Sequence, residues 1–163
     1  MSQKNTISKN RLLPKSPTGI TGLDEITGGG LPKGRPTLVC GSAGCGKSML
    51  GVEFLVRGVT QFNEPGVLMT FEELPEDVIT NSRSLGFDLD GLVAKKKLFV
   101  DYVRVERNEI QETGEYDLEA LFIRLDHALR SIGARRMVLD YLAVYRSLME
   151  TAEPRIKLVS SAE

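Results

Sequence analysis

The sequence predicts an α/β fold, a mainly parallel sheet flanked by helices. Three observations carry this. Strand-like and helix-like segments alternate along the chain, which places parallel strands inside and crossover helices outside. One strand-like run, Thr37-Leu38-Val39-Cys40, leads straight into a glycine-rich loop and then a helical segment, the unit that binds phosphate. The chain has 163 residues, 41% hydrophobic and 26% charged, which suits a single domain with its own core.

The elements follow in order. Residues 1–17 read as a basic, disordered tail, because Lys4, Lys9, Arg11 and Lys15 come without an acid. Solvation is the simpler reading of that charge, contact with nucleic acid or a partner the other. Residues 18–163 read as one domain. The strands fall at 37–41, 66–71, 98–103 and 136–140, and the helices at about 47–62, 75–85, 89–95 and 117–132. The first helix carries Leu50, Phe54, Leu55 and Val59 on one face. Pro75 suits the first turn of the second helix, with Glu76 and Asp77 at its positive end. Asp117 can cap the long helix and Gly133 can end it. Residues 104–116 read as a polar loop, and Lys95-Lys96-Lys97 as a solvated helix end. Leu142 to about Ala152 fits a helix stopped by Pro154, and Arg155–Val159 one more strand. A parallel crossover between Tyr141 and Pro154 is barely long enough.

Composition excludes several functions. Net charge is −1, so the whole chain lacks the basic footprint of a nucleic-acid binder. No run approaches the ~20 apolar residues of a membrane span, and the tail lacks the apolar stretch of a secretion signal. Cys40 and Cys45 have no metal-ligand spacing and fit a cytoplasmic setting. Cys40 reads as a small core residue at a strand end. Cys45 sits where a helix N-terminus and Lys47 favour a thiolate, although space-filling is the simpler role.

The chemistry centres on Gly41-Ser42-Ala43-Gly44-Cys45-Gly46-Lys47-Ser48, the pattern G-x-x-x-x-G-K-S/T. Glycines let backbone N–H groups turn toward phosphate oxygens. Lys47 supplies a charge for the β- and γ-phosphates, and the Ser48 hydroxyl can ligate Mg²⁺. The motif points to a nucleoside triphosphate. Asp140 ends the apolar run Met137-Val138-Leu139, at the carboxyl end of a strand, where ligands of open parallel sheets bind. It reads as an Mg²⁺ anchor, or as a cap for a following helix. Glu72-Glu73 directly follows the strand at 66–71. Two readings fit: a pair that serves metal and attacking water, or an acidic turn before Pro75.

The segment Thr18–Gly34, with its run Thr27-Gly28-Gly29-Gly30-Leu31-Pro32, looks like the opening of RecA-like ATPases. With the phosphate loop, Thr70-Phe71-Glu72-Glu73, Asn81–Gly86 and the long helix before Asp140, it resembles the KaiC family of circadian clock ATPases. The resemblance runs from about Thr18 to Asp140. It implies a RecA-like P-loop core, incomplete at its C-terminal side, that binds ATP and Mg²⁺ and hydrolyses ATP. It also implies self-phosphorylation on Ser or Thr in some domains, and rings with ATP between subunits. Residue by residue, Gly44, Cys45, Gly46, Lys47, Ser48 and Met49 would wrap the phosphates and Ser84 would lie near the adenine. Ser48, Asp140 and one of Glu72 and Glu73 would serve the metal, the other acid activating water or a hydroxyl. Family domains run longer than this chain, so basic groups that reach a neighbour's γ-phosphate have no match. Three functions follow: a Mg²⁺-dependent ATPase, a shortened nucleotide-binding subunit that modulates a ring of relatives, and a recombinase-like DNA-dependent ATPase, which the net charge disfavours.

Overall fold

The computed structural model describes residues 13–71, 73–104, 118–141 and 155–160, with backbone alone for 118, 119, 141 and 155–160. In chain order the elements are β1 (Lys15–Ser16), α1 (Leu23–Ile26), β2 (Leu31–Pro32), β3 (Pro36–Cys40), α2 (Lys47–Phe62), β4 (Gly66–Thr70), α3 (Pro75–Ser84), α4 (Leu89–Ala94), β5 (Leu98–Tyr102), α5 (Leu118–Ile132), β6 (Arg136–Tyr141) and β7 (Arg155–Ser160). The helices and four long strands sit within a residue or so of their expected places.

The main sheet has the order β3-β7-β6-β4-β5. Strand β4 pairs in parallel with β5 and β6, whereas β7 runs antiparallel between β3 and β6. Four strands therefore share one direction, as expected for a mainly parallel sheet, and β7 opposes them. The connection 142–154 only just reaches the length a parallel return would need. A parallel return requires a crossover of a dozen or more residues, usually a helix, whereas an antiparallel neighbour needs only a reversal.

Every residue of β4, Gly-Val-Leu-Met-Thr, is buried, as a strand covered on both faces must be. On one face Val52, Phe54, Leu55 and Val56 of α2 pack with Leu68, Val138 and Leu98, and with Val78 and Leu89 of α3 and α4. On the other, Met69, Phe71 and Val103 pack with Leu121 and Leu125 of α5. Edge strand β3 alternates: Val39 joins the α2 core, while Leu38 and Cys40 are exposed. Cys40 is thus not the core residue expected, because it faces away from α2 on an edge strand.

The segment before β3 is tied down. Strand β1 pairs with β2 and Ser16 is buried, so paired structure begins inside the stretch 1–17 read as a tail. A Cβ on Gly30 would collide with the Ser16 carbonyl, and its φ is 116°, so only glycine allows this approach. The Asp24 carboxylate accepts hydrogen bonds from the Thr18 N–H at 2.8 Å, the Thr18 hydroxyl at 2.7 Å and the Gly19 N–H at 3.0 Å. Arg136, at the start of β6, has a fully buried side chain. It donates to Glu64 Oε2, Phe54 O and Pro17 O, so it joins α2, the turn after it and this opening segment. The cap expected at Asp117 and the helix expected over 142–152 lie outside the described residues.

Candidate functional site

The loop from Gly41 to Ser48 joins β3 to α2. Gly44 and Gly46 hold φ values of 77° and 89°, and left-handed Gly46 caps α2. This is the region that L side chains avoid, so the motif's glycines at these two positions follow from backbone geometry. Lys47 is buried, and its Nζ donates to the carbonyls of Gly41 at 3.0 Å and Ser42 at 2.7 Å, with Cys45 Sγ at 3.6 Å. The ammonium lies under its own loop, while Ser42 to Gly46 face solvent.

The Ser48 hydroxyl and the Asp140 carboxylate near the end of β6 line the same cleft. Burial pushes the Asp140 carboxyl above the usual range, and the Ser48 hydroxyl and Lys47 charge only partly counter it. The Phe71 N–H donates to Asp140 O at 3.2 Å, which fastens the end of β4 beside the end of β6. Thr70 Oγ1 donates to Glu73 O at 2.7 Å and shapes the turn that carries Glu73. The Glu73 Oε2 atom is buried and has no hydrogen-bond partner among the described residues. Glu72 lies outside the described residues.

These groups surround a cleft of about 490 Å³. Ala43, Gly44, Gly46, Lys47, Ser48 and Met49 line it from the loop and α2, Glu73 from the turn after β4, and Asp140 from β6. Asn81, Ser84 and Leu85 line it from α3 and its end. The structure thus brings Met49, Ser84, Glu73 and Asp140 to the loop. Gly41, Ser42 and Cys45 do not line the cleft; Gly41 and Ser42 instead hold Lys47 through their carbonyls. Sequence reasoning missed Asn81 and Leu85. Their spacing with Ser84, i, i+3 and i+4, puts all three on one helical face and was a usable signal.

Among the described residues no group of three or more His, Cys, Asp and Glu gathers as a metal site. Mg²⁺ does not need one, since it keeps waters and takes one or two protein oxygens with the substrate's phosphates. Paired oxygens on Ser48 and Asp140, with the Asp140 carboxyl desolvated, suit that hard cation. No described helix is long and apolar enough to cross a membrane.

A family model described as the KaiC ATPase matches residues 16–160. The chain belongs to the KaiC ATPase family. Its sheet and loop are accordingly the RecA-like P-loop fold. The KaiC-family chain is 59% identical over 143 residues to the circadian clock protein KaiC2 of Synechocystis sp., covering 88% of this chain and 25% of that protein. It is 42% identical over 140 residues to the circadian clock oscillator protein KaiC of Synechococcus elongatus, covering 86% and 27% respectively. With the KaiC of Thermostichus vulcanus it shares 44% identity over 126 residues, 77% of this chain and 24% of that one. The chain thus spans about a quarter of the length of these curated relatives.

Proposed function

We propose that this KaiC-family chain binds ATP with Mg²⁺ in the cleft between the phosphate loop and α3, and hydrolyses it. The observation that carries hydrolysis is the Glu73 Oε2 atom, buried and without a partner among the described residues, in the same cleft as Lys47, Ser48 and Asp140. A buried carboxylate oxygen without a donor is costly unless a ligand satisfies it. A water held there against a γ-phosphate satisfies it, and Glu73 takes that water's proton. The loop N–H groups cradle the phosphates, and Lys47 moves from the loop carbonyls to the β- and γ-phosphates. Ser48 and Asp140 hold Mg²⁺, which neutralises charge between the phosphates when bound. Asn81, Ser84 and Leu85 face the nucleoside, with apolar Leu85 available to a base. Glu72 stands as a second acid for metal or water on the family resemblance alone.

Among the described residues, Lys47 is the only cation lining the cleft. Phosphoryl transfer gains roughly 10³–10⁵ in rate from a further arginine-type contact. That observation favours assembly, a second subunit supplying a further cation over the exposed loop. The second reading is therefore a nucleotide-binding subunit with little turnover alone, which works within an oligomer of KaiC-like relatives. Transfer to a Ser or Thr hydroxyl has no supporting observation among the described residues. A role in circadian timing rests on the relatives' names, and a cytoplasmic setting on nucleotide chemistry and two free thiols.

The test is ATP turnover and solution mass with and without ATP·Mg²⁺, for the chain and for Glu73→Gln. Retained nucleotide binding with turnover abolished in the variant supports the hydrolytic role. Equal turnover in both removes Glu73 from the chemistry, and absence of ATP binding by the unmodified chain overturns the proposal.

A further inference from the structure

The turns that lead into β3, β6 and β5 all lie at the end of the sheet opposite the phosphate loop, and each brings basic residues. Arg35 precedes β3, Arg135 precedes β6, and Lys95, Lys96 and Lys97 precede β5. Pairing fixes their levels. Pro36 and Met137 both face Val159 of β7, while Gly66 faces both Arg136 and Leu98. Arg35, Arg135 and Lys97 therefore stand within about one residue of the same height. Each is two strands from the next, about 10 Å at the usual strand spacing, so the row spans roughly 20 Å.

Backbone bonds hold the turns in place. The Arg135 N–H donates to Pro65 O at 2.7 Å, the Gly66 N–H to Lys97 O at 3.0 Å and the Lys97 N–H to Leu92 O at 2.9 Å. Lys95, Lys96, Arg35 and Arg135 are exposed, and none has an ion-pair partner among the described residues. Among the described residues Lys97 reaches only neutral Asn63, at 3.1 Å. The acid in the neighbouring turn, Glu64, is committed to buried Arg136. The chain as a whole has net charge −1, so this pole holds an excess that the rest of the surface offsets. Acids collect at the other pole, where Glu73 and Asp140 line the cleft and Glu76 and Asp77 open α3.

We propose that this cationic pole docks an acidic segment of a protein partner. The row matches a peptide in the polyproline-II conformation of about six residues with acids three apart, since that helix has three residues per turn and rises ~3.1 Å per residue, so such acids share one face. Exposed pairs are individually weak, but charges held in one row steer and orient an opposite partner. A protein segment fits better than nucleic acid. The turns 33–35, 95–97 and 133–135 carry no aromatic residue on which a base could stack.

The test is fluorescence anisotropy of the chain with a labelled Glu-rich peptide of about twelve residues, beside a single-stranded oligonucleotide of equal charge. The peptide binds, and its affinity falls several-fold as salt passes ~0.1 M, where the Debye length is about 10 Å. The triple variant Arg35→Glu, Lys96→Glu, Arg135→Glu loses about tenfold or more of that affinity, with nucleotide binding and melting temperature kept. Failure of the peptide to bind, equal binding by the triple variant, or tighter binding of the oligonucleotide overturns the proposal. Should the triple variant not fold, the exposed pair change Lys95→Gln, Lys96→Gln decides: it weakens the peptide about threefold or the proposal fails.

Discussion

The Nε of Arg136, on a side chain wholly out of solvent, lies 2.6 Å from Oε2 of Glu64, a residue 72 positions earlier. The same guanidinium donates to Phe54 O at 3.0 Å and Pro17 O at 2.7 Å and stands 4.6 Å over the Phe54 ring. Three of its donors are satisfied and its charge is paired, the conditions under which a buried cation is tolerated. Replacement by Met leaves Glu64 and two carbonyls without their donors. Arg136→Met is expected to destabilise by about 3–5 kcal/mol in urea unfolding. A loss under about 0.5 kcal/mol, the range of ordinary surface changes, would show the clamp is idle.

Gly58 lies in the interior of α2, against this same arginine. Gly-to-Ala in a helix normally stabilises by about 1 kcal/mol. Here the added Cβ would collide with the Arg136 side chain. Gly58→Ala should therefore lower the melting temperature, and the double variant with Arg136→Met should recover part of the loss. A rise in melting temperature from Gly58→Ala alone contradicts the packing described.

Asp24 gives a pH signature. Burial pushes its carboxyl up, but hydrogen bonds from Thr18 and Gly19 and the Arg136 charge outweigh this and hold it below the ordinary value. A depressed carboxyl stabilises the fold in full above its unfolded pKa of about 3.9, and the contribution is lost as pH falls through the lower folded value. In Asp24→Asn an amide N–H replaces one acceptor and faces a backbone N–H. The variant should melt lower at neutral pH, and the gap should close in strong acid. Thermal melts from pH 2 to 7 check it; a gap independent of pH would assign the loss to shape rather than charge.

Lys47→Ala removes the only cation that lines the cleft among the described residues. A charged hydrogen bond to phosphate is worth about 1.5–3 kcal/mol, so ATP affinity should fall roughly ten- to a hundredfold by calorimetry. The Gly41 and Ser42 carbonyls, which now accept from Nζ at 3.0 and 2.7 Å, also lose their donor. The loop without nucleotide should loosen, which hydrogen exchange at Ser42 to Gly46 can read. Unchanged affinity would mean the loop does not hold phosphate.

Much of this was legible because local pattern and tertiary role agree. The α2 segment 47–62 announces itself by a glycine loop and a helical apolar face, and Gly133 ends α5 at φ 60° where expected. Two-residue strands such as β1 and β2 are too short for any periodicity to register. The direction of β7 was hidden because strand propensity carries no polarity; only loop length constrains it. Arg136 was unreadable for a different reason. Arginine at a strand start normally reaches solvent, and its burial depends on Glu64 and Pro17, distant in sequence. In the site, the loop and Asp140 were visible as motif and strand end, whereas the Glu73 environment emerges only from packing around the turn after β4.

Strand β7 stands between β3, which delivers the phosphate loop, and β6, which delivers Asp140; Val39 and Asp140 both align with Ile156. Loop and carboxylate therefore take their relative height from a third strand that comes later in the chain than both. During vectorial synthesis, at about 5–20 residues per second, a nascent chain exposes the loop well before it has the spacer that calibrates the site. Until residues 155–160 leave the ribosome and wedge in, a nucleotide meets the loop without its opposing acid at the set distance. On the proposed function, completion of the sheet, rather than of the motif, is the event that would make the chain a receptor.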